Sequence, residues 1–152
     1  MSDHYAEIEW TYQTHSTQAD TYNRDHTVTL ENGQIIANSS APAFLGNAQA
    51  SNPETLLLAS LASCHMLTFL AVASKRGFHV LHYQDKAEGT LGKNAEGRMA
   101  ITHCLLQPKV SFLDNKIPST DELNKLHDSA HRNCFIANSL NMLVKIMPSN
   151  DA

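Results

Sequence analysis

The sequence predicts an α+β domain, and three of its features carry that prediction. The first fifty residues form short runs in which apolar and polar side chains alternate, with turn residues between them, a pattern typical of half-buried strands. A long apolar segment over residues 52–77 has helix signals at both ends. A second helical segment over residues 119–130 lies between further strand-like runs. Strands, a long helix, strands, a helix and a strand in this order indicate the α+β class.

Size and composition restrict the possible functions. The chain has 152 residues, 42% of them hydrophobic and 17% charged, and no internal repeat or linker divides it, so we expect a single domain over residues 1–152. The formal charge of -4 and the lack of a basic cluster argue against a nucleic-acid partner. The N-terminal residues do not resemble a signal peptide, and three cysteines are too few for a secreted disulfide framework. We therefore expect a cytoplasmic protein.

The N-terminal segment predicts strands and a hairpin. Ile8, Trp10 and Tyr12 alternate with polar residues in a first half-buried strand. A second strand should cover residues 22–30 and present on one face Tyr22, Arg24, His26, Val28 and Leu30. Asn32-Gly33 is a strong hairpin signal, with residues 34–37 as the returning strand and residues 39–52 as a surface loop.

The long helix should begin near Asn52 and end at Gly77. Asn52 can cap the first turn, Pro53 suits the first helical position and Glu54 suits the helix dipole, although Ser51 with Glu54 offers a rival capping box. Apolar residues occupy nearly every face, so the helix must be buried all round or cross a membrane. Polar residues interrupt its middle, which argues against a membrane span. One small domain rarely surrounds such a helix, and we therefore expect a partner subunit to cover one side.

The C-terminal half should contain further strands and a second helix. The strand-like runs cover residues 78–91, 98–112 and 141–147, and a turn over residues 92–97 joins the first two. Ser119 and Glu122 have capping-box spacing, and they open a helix whose inward residues are Leu123, Leu126 and Ala130. Residues 131–140 should bend into another short helix.

Two of the three cysteines are candidates for chemistry. Cys64 lies in the middle of the long helix, where a small core residue is the simplest interpretation. Cys134 follows His131 and Arg132 near a predicted helix start, and both a helix N-terminus and nearby cations favour a thiolate. Cys104, within a strand-like run, is expected to serve packing alone.

Arg24 and Glu54 are candidates for partners of a reactive thiol. Arg24 lies on the apolar face of its predicted strand, so it requires a carboxylate, a thiolate or an anionic ligand unless it extends to water. Glu54 precedes Cys64 by ten residues, which is about 15 Å along a straight helix. If Glu54 serves the Cys64 site, it must come from a second subunit or from a broken helix. Antiparallel helices in a two-fold dimer would meet this condition.

The segment NPETLLLASLASCH at residues 52–65 resembles the central-helix signature of the OsmC/Ohr family, the osmotically inducible and organic-hydroperoxide-resistance proteins. The resemblance extends to the upstream Arg24, the downstream Cys134 and the order of the predicted elements. It implies antiparallel sheets wrapped around a long central helix. It also implies an intertwined homodimer with two active sites at the subunit interface.

The resemblance further implies a thiol peroxidase that acts on organic hydroperoxides and less well on hydrogen peroxide. By this resemblance, Cys64 is the peroxidatic thiol, Cys134 the resolving thiol, and Arg24 with Glu54 the activating pair. No cofactor or metal is implied, and a dithiol reductant of unknown identity must reopen the Cys64–Cys134 disulfide. The chain departs from many members because Phe135, not proline, follows the second cysteine, and Arg132 competes with Arg24 as the local cation.

Two alternatives belong to other classes. Cys64-His65 and His131-x-x-Cys134 supply enough ligands for tetrahedral zinc, but adjacent helical residues point about 100° apart and seldom bind one ion. A non-catalytic module would hold a small apolar ligand in a dimer cleft. We assign no role to His26 or His65 from the sequence.

Overall fold

The computed structural model describes residues 1–113 and 115–150, and it confirms the α+β class. Spatial contacts between residues divide the chain into two compact units, Met1–Leu56 and Leu57–Ala152. The first unit holds one three-stranded sheet and the second holds two. The single domain over residues 1–152 stays a prediction.

The sheet of the first unit is an antiparallel meander. It comprises β1 (Ala6–Glu9), β2 (His26–Leu30) and β3 (Ile35–Asn38), with β2 in the centre. The Asn32-Gly33 hairpin is confirmed. Gly33 adopts a φ of 84°, which favours glycine, and its N–H donates to the Leu30 carbonyl at 2.8 Å.

Two details of this sheet differ from the prediction. All four residues of β1 are exposed in the chain, and Trp10 and Tyr12 lie beyond its end. The second strand begins at His26, so Arg24 precedes it and is not part of its face. The reason is local, because the Asp25 N–H donates to the Asn23 side chain at 2.7 Å and a backbone N–H used in this way favours a turn over a strand ladder.

The predicted long helix is confirmed as α1, which covers Pro53–Lys75. The Asn52 side chain accepts a hydrogen bond from the Thr55 N–H at 2.9 Å, so Asn52 is the cap. Ser51 is bridged to Asn38, which explains why the rival capping box does not form. Gly77 follows the helix with a φ of 77°, a left-handed conformation that ends helices.

Full burial on α1 is confined to one stripe. Its fully buried residues are four positions apart and comprise Leu61, His65, Phe69 and Ala73. In the single chain the helix is not buried all round, since Leu67 is 60% exposed, and the partner subunit expected to cover one side stays a prediction. An 18-residue window of α1 has a mean hydropathy of 2.0 and only 22% of it is buried. Length and composition would thus allow a membrane span, but the core helix of a soluble protein passes the same test.

Over residues 57–113 and 115–150, the second unit contains six strands and α2 (Thr120–Asn133). The strands are β4 (Val80–Gln84), β5 (Glu88–Lys93), β6 (Met99–Leu106), β7 (Lys109–Phe112), β8 (Leu143–Ile146) and β9 (Ser149–Asn150). Their orders are β4-β7-β9 and β5-β6-β8, with antiparallel pairs except for the parallel pairs β6–β8 and β7–β9. Each predicted long strand is therefore two strands. Asp85 lies at the first break, and its carboxylate accepts a hydrogen bond from the Gln107 N–H at 2.7 Å across the second.

The predicted start and inward face of α2 are confirmed. The Ser119 hydroxyl accepts from the Glu122 N–H at 3.3 Å, and the Glu122 carboxylate accepts from the Ser119 N–H at 2.9 Å. The buried residues of α2 are Leu123, Leu126, His127 and Ala130. A 3-10 turn over Ala137–Ser139 forms the short helix expected after α2.

Candidate active site

Cys64 and Cys134 come together in the second unit. Cys134 is fully buried in a core cluster with Leu61, Cys104 and Leu106, which we call the thiol cluster. Cys64 is half-buried and packs against this cluster, because it lies three residues after Leu61 on the same side of α1. Both are free thiols. The structure thus makes neighbours of two cysteines that are seventy positions apart.

Cys134 lies between two helices, at the end of α2 and three residues before the 3-10 turn over Ala137–Ser139, which agrees with its predicted position near a helix start. It is the residue that ends α2, with its N–H donating to the His131 carbonyl at 3.3 Å. Burial, and then the neighbouring Cys64, raises the pKa of the Cys134 thiol to about 11. The Ala137 N–H donates to its sulfur at 3.4 Å. At neutral pH Cys134 is therefore a protonated thiol held close to Cys64.

The other two cysteine environments differ from that of Cys134. Cys64 is half-buried, and its carbonyl accepts a hydrogen bond from the Thr68 hydroxyl at 2.8 Å. Cys104 lies in β6 and is 2% exposed. Burial, and then Asp85, raises the pKa of the Cys104 thiol. These properties agree with the packing role expected for Cys104.

Arg24 and Glu54 line one cavity in the first unit. The cavity has a volume of about 550 Å³, and most of its wall is apolar. Its other lining residues are Ile8, Trp10, Tyr22, His26, Ser39, Ser40 and Pro53. The Trp10 and Tyr22 rings meet edge to face with centroids 6.0 Å apart. The first unit therefore offers an apolar, aromatic space with one cation and one carboxylate.

Arg24 and Glu54 do not form an ion pair within the part of the chain that the structure describes. The Arg24 guanidinium donates to the Thr21 hydroxyl at 3.1 Å and to the Tyr22 carbonyl, and it lies 4.2 Å from the centroid of the Tyr22 ring. One oxygen of the Glu54 carboxylate is buried without a hydrogen-bond partner among the described residues. Glu54 thus lines the cavity without pairing with Arg24 among the described residues.

The continuity of α1 excludes one of the two arrangements that would bring Glu54 close to Cys64. The helix runs unbroken over Pro53–Lys75, so a break between Glu54 and Cys64 is excluded. The second subunit remains the route that the sequence analysis offers.

Sequence reasoning missed a buried histidine pair. His65 of α1 and His127 of α2 are 0% and 2% exposed, and His65 Nε2 lies 2.9 Å from His127 Nδ1. Burial lowers the pKa of His65 to about 4 and that of His127 to about 3, so both rings are neutral at pH 7. The available signal was periodicity, because His65 lies four residues from both Leu61 and Phe69 on the buried stripe of α1.

The zinc alternative gains no geometric support. Over residues 1–113 and 115–150, no group of three or more histidine, cysteine, aspartate or glutamate side chains is placed so that it could hold a metal ion. Tetrahedral zinc sites need such a cluster.

Comparison with known proteins identifies similar chains. The model of the OsmC-like protein family matches residues 46–147. The OsmC-like protein of unknown function VCA0330 from Vibrio cholerae O1 biovar eltor str. N16961 is 36% identical, with a TM-score of 0.91 over 98% of this chain and 100% of that one. The uncharacterized protein YmaD of Bacillus subtilis (strain 168) is 25% identical over 122 residues, which are 78% of this chain and 79% of YmaD.

A more distant likeness concerns the fold alone. The organic hydroperoxide resistance protein OsmC from Legionella pneumophila is 18% identical, with a TM-score of 0.74 over 100% of this chain and 98% of that chain.

Proposed function

Since the chain belongs to the OsmC-like protein family, we propose that it is a thiol peroxidase that reduces organic hydroperoxides, and less well hydrogen peroxide, to alcohols. Proteins of this fold include an organic hydroperoxide resistance protein. The observation that carries the proposal is the contact of the half-buried Cys64 with the thiol cluster that holds Cys134. Two neighbouring free thiols, one of them in a half-buried residue, are the groups that peroxide reduction through a disulfide requires.

In the first step, the Cys64 thiolate attacks one oxygen of the hydroperoxide and the O–O bond breaks. Cys64 becomes a sulfenic acid, and the alkoxide that leaves takes up a proton to become an alcohol. We assign to Arg24 the stabilisation of the thiolate, and to Glu54 the orientation of Arg24. The apolar wall around these two residues suits the alkyl part of an organic peroxide.

In the second step, the Cys134 thiol condenses with the sulfenic acid to form the Cys64–Cys134 disulfide and water. The raised pKa of Cys134 supports this division of roles, because a buried, protonated thiol does not compete for the peroxide. A dithiol then reduces the disulfide by exchange, which suits a reducing cytoplasm.

We further propose that the active form is an intertwined homodimer, in which Arg24 and Glu54 of one copy serve Cys64 of the other. Two observations support it: α1 is unbroken between Glu54 and Cys64, and much of this apolar helix is uncovered in the single chain. A second copy would cover α1 and supply the missing groups.

Mixed dimers test whether the site is shared. A Cys64→Ser chain and a Glu54→Gln chain, co-expressed with different tags, should regain part of the turnover that each lacks alone, since one site of the mixed dimer would then have both groups. The control mixes Cys64→Ser with the double variant Cys64→Ser/Glu54→Gln, which should stay inactive. A monomeric wild-type chain in sedimentation velocity would contradict the proposal.

The peroxidase activity itself is tested by peroxide consumption with cumene hydroperoxide, hydrogen peroxide and a dithiol. Cys64→Ser should abolish turnover. Cys134→Ser should permit the first attack without an intrachain disulfide, and Cys104→Ser is the matched control that should keep turnover. Full turnover by both Cys64→Ser and Cys134→Ser would refute the proposal.

A small-ligand-binding module is the second candidate, and the apolar cavity of about 550 Å³ favours it. Trp10 is the only tryptophan of the chain and lines this cavity, so its fluorescence reports occupancy directly. Titration with cumyl alcohol separates the candidates. Tight binding without any peroxide consumption would favour the binding module, whereas consumption that depends on Cys64 favours the peroxidase.

A further inference from the structure

The buried pair of His65 and His127 joins the two helices that carry the thiols. The Nε2–Nδ1 distance is 2.9 Å, and the two rings are within 6° of parallel. The His127 ring also stacks on Phe69 with centroids 4.2 Å apart. The pair is thus a directional contact between α1 and α2 inside an otherwise apolar core.

Burying this pair of polar rings costs the folded protein free energy. His65 Nδ1 and His127 Nε2 are both buried and have no hydrogen-bond partner among the described residues. A buried polar atom left unsatisfied costs more free energy than a typical hydrogen bond contributes. Two apolar residues of similar shape would be at least as stable, so stability does not account for the pair.

The positions of the two rings suggest what the pair does. His65 directly follows Cys64 on α1. His127 is a buried residue of α2 and lies seven residues before Cys134, which ends that helix. We propose that the hydrogen bond between His65 and His127 is a positioning contact that fixes α2 against α1 so that the Cys134 sulfur faces Cys64 and their disulfide can close.

Directionality is the property that apolar packing lacks. Leucine side chains tolerate a small slide of one helix along another, but an N–H···N bond is lost within about 1 Å of displacement. The charged and titratable groups near the pair are His131 of α2, which acts on His65, and Tyr83 of β4, which contacts the same Phe69. Tyr83 is in turn affected by Asp85. No described residue forms a hydrogen bond with His65 Nδ1 or His127 Nε2. Among the described residues, the hydrogen bond between the two rings is therefore the directional contact that each ring makes.

The role in turnover rests on the proposed function, but the contact can be tested without any peroxide. The reduced chain is equilibrated with glutathione buffers, in which two thiols and one glutathione disulfide give the Cys64–Cys134 disulfide and two glutathiones. The fractions are read by alkylation and mass spectrometry. This equilibrium measures how well the two sulfurs are positioned, whatever the protein reduces.

An apolar and an amide substitution of His127 should differ in their effect on the equilibrium constant for the Cys64–Cys134 disulfide. His127→Phe keeps the ring stack and removes the hydrogen bond, so the disulfide equilibrium constant should fall about tenfold, which corresponds to about 1.4 kcal/mol. In His127→Asn an amide takes the place of Nδ1, and the constant should stay near the wild-type value. His82→Phe, at an exposed histidine of β4, is the matched control and should have no effect.

Equal constants for the folded Phe and Asn variants would overturn the inference. If His127→Phe does not fold, His65→Leu and His65→Gln supply the same contrast, because the Gln amide replaces Nε2. A chain that forms the disulfide in this way yet consumes no peroxide would refute the peroxidase and leave the positioning role standing.

Discussion

The two thiols of the site differ in exposure and therefore in reactivity. Cys64 is half-buried, whereas Cys134 is fully buried with its pKa raised to about 11. Alkylation requires the thiolate and access to it. Iodoacetamide at pH 7 should therefore label Cys64 well before Cys134 or Cys104, as followed by peptide mass mapping. Earlier labelling of Cys134 would contradict this order and the assignment of the peroxidatic thiol.

Arg24 and Arg132 are the two cations that the sequence offers to Cys64. Arg24→Ala should shift the alkylation of Cys64 to higher pH, because in the proposed homodimer Arg24 of one copy stabilises the Cys64 thiolate of the other. The measurement is the pH profile of Cys64 alkylation. Arg132→Ala is the comparison, as Arg132 lies in the last turn of α2. If the pH profile shifts with Arg132→Ala and not with Arg24→Ala, Arg132 is the residue that stabilises the Cys64 thiolate.

Element boundaries were predictable where one residue or dipeptide determines them. The Asn52 cap, the left-handed Gly77 and the Ser119–Glu122 capping box each act within one helical turn, so the sequence alone locates α1 and α2. The hairpin at Asn32-Gly33 was predictable for the same reason, because these two adjacent residues determine the turn.

Long-range pairing could not be predicted in the same way. The break at Asp85 depends on a hydrogen bond from Gln107, and β8 lies parallel to β6 although residues 107–142 separate them. The neighbouring positions of Cys64 and Cys134 followed from the family resemblance, whereas the His65–His127 contact left only a weak periodic signal. A contact between distant elements depends on how they pack, which spacing does not encode.

The capping box of α2 should contribute measurably to stability. Ser119→Ala removes the acceptor for the Glu122 N–H and should lower the free energy of unfolding by about 1 kcal/mol. Urea unfolding monitored by circular dichroism measures this change. Ser74→Ala, at an exposed position of α1, is the control and should leave stability unchanged or slightly higher. An equal loss in both variants would mean that the cap does not act through its hydrogen bond.

At the scale of the whole molecule, each unit carries one half of the proposed chemistry. The first unit holds Arg24 and Glu54 around an apolar cavity, and the second holds the two thiols. The sequence identified these four residues, but it did not show that Arg24 is bonded to Thr21 and Tyr22 while an oxygen of Glu54 has no partner among the described residues. The proposed homodimer, in which Arg24 and Glu54 of one copy serve Cys64 of the other, would account for the apolar residues on the uncovered faces of α1.

The histidine pair also predicts how the stability of the molecule depends on pH. Both pKa values are lowered by burial, to about 4 for His65 and about 3 for His127, whereas the unfolded chain binds protons near pH 6.5. As the pH falls from about 6.5 to 4, the unfolded state binds more protons and the folded state loses stability. The slope reaches at most about 1.4 kcal/mol per pH unit for each histidine. Asp85, whose pKa burial raises, acts in the opposite direction.

Urea unfolding between pH 7 and pH 4.5 measures this dependence. The double variant His65→Gln/His127→Asn keeps polar groups in place but cannot titrate, so its stability should change less with pH than that of the wild type. Asp85 remains in both proteins, and its contribution cancels in the comparison. Parallel losses in the two proteins would show that other groups govern acid stability. A flatter curve for the variant would show that protonation of His65 and His127 accounts for part of the stability that the wild type loses in acid.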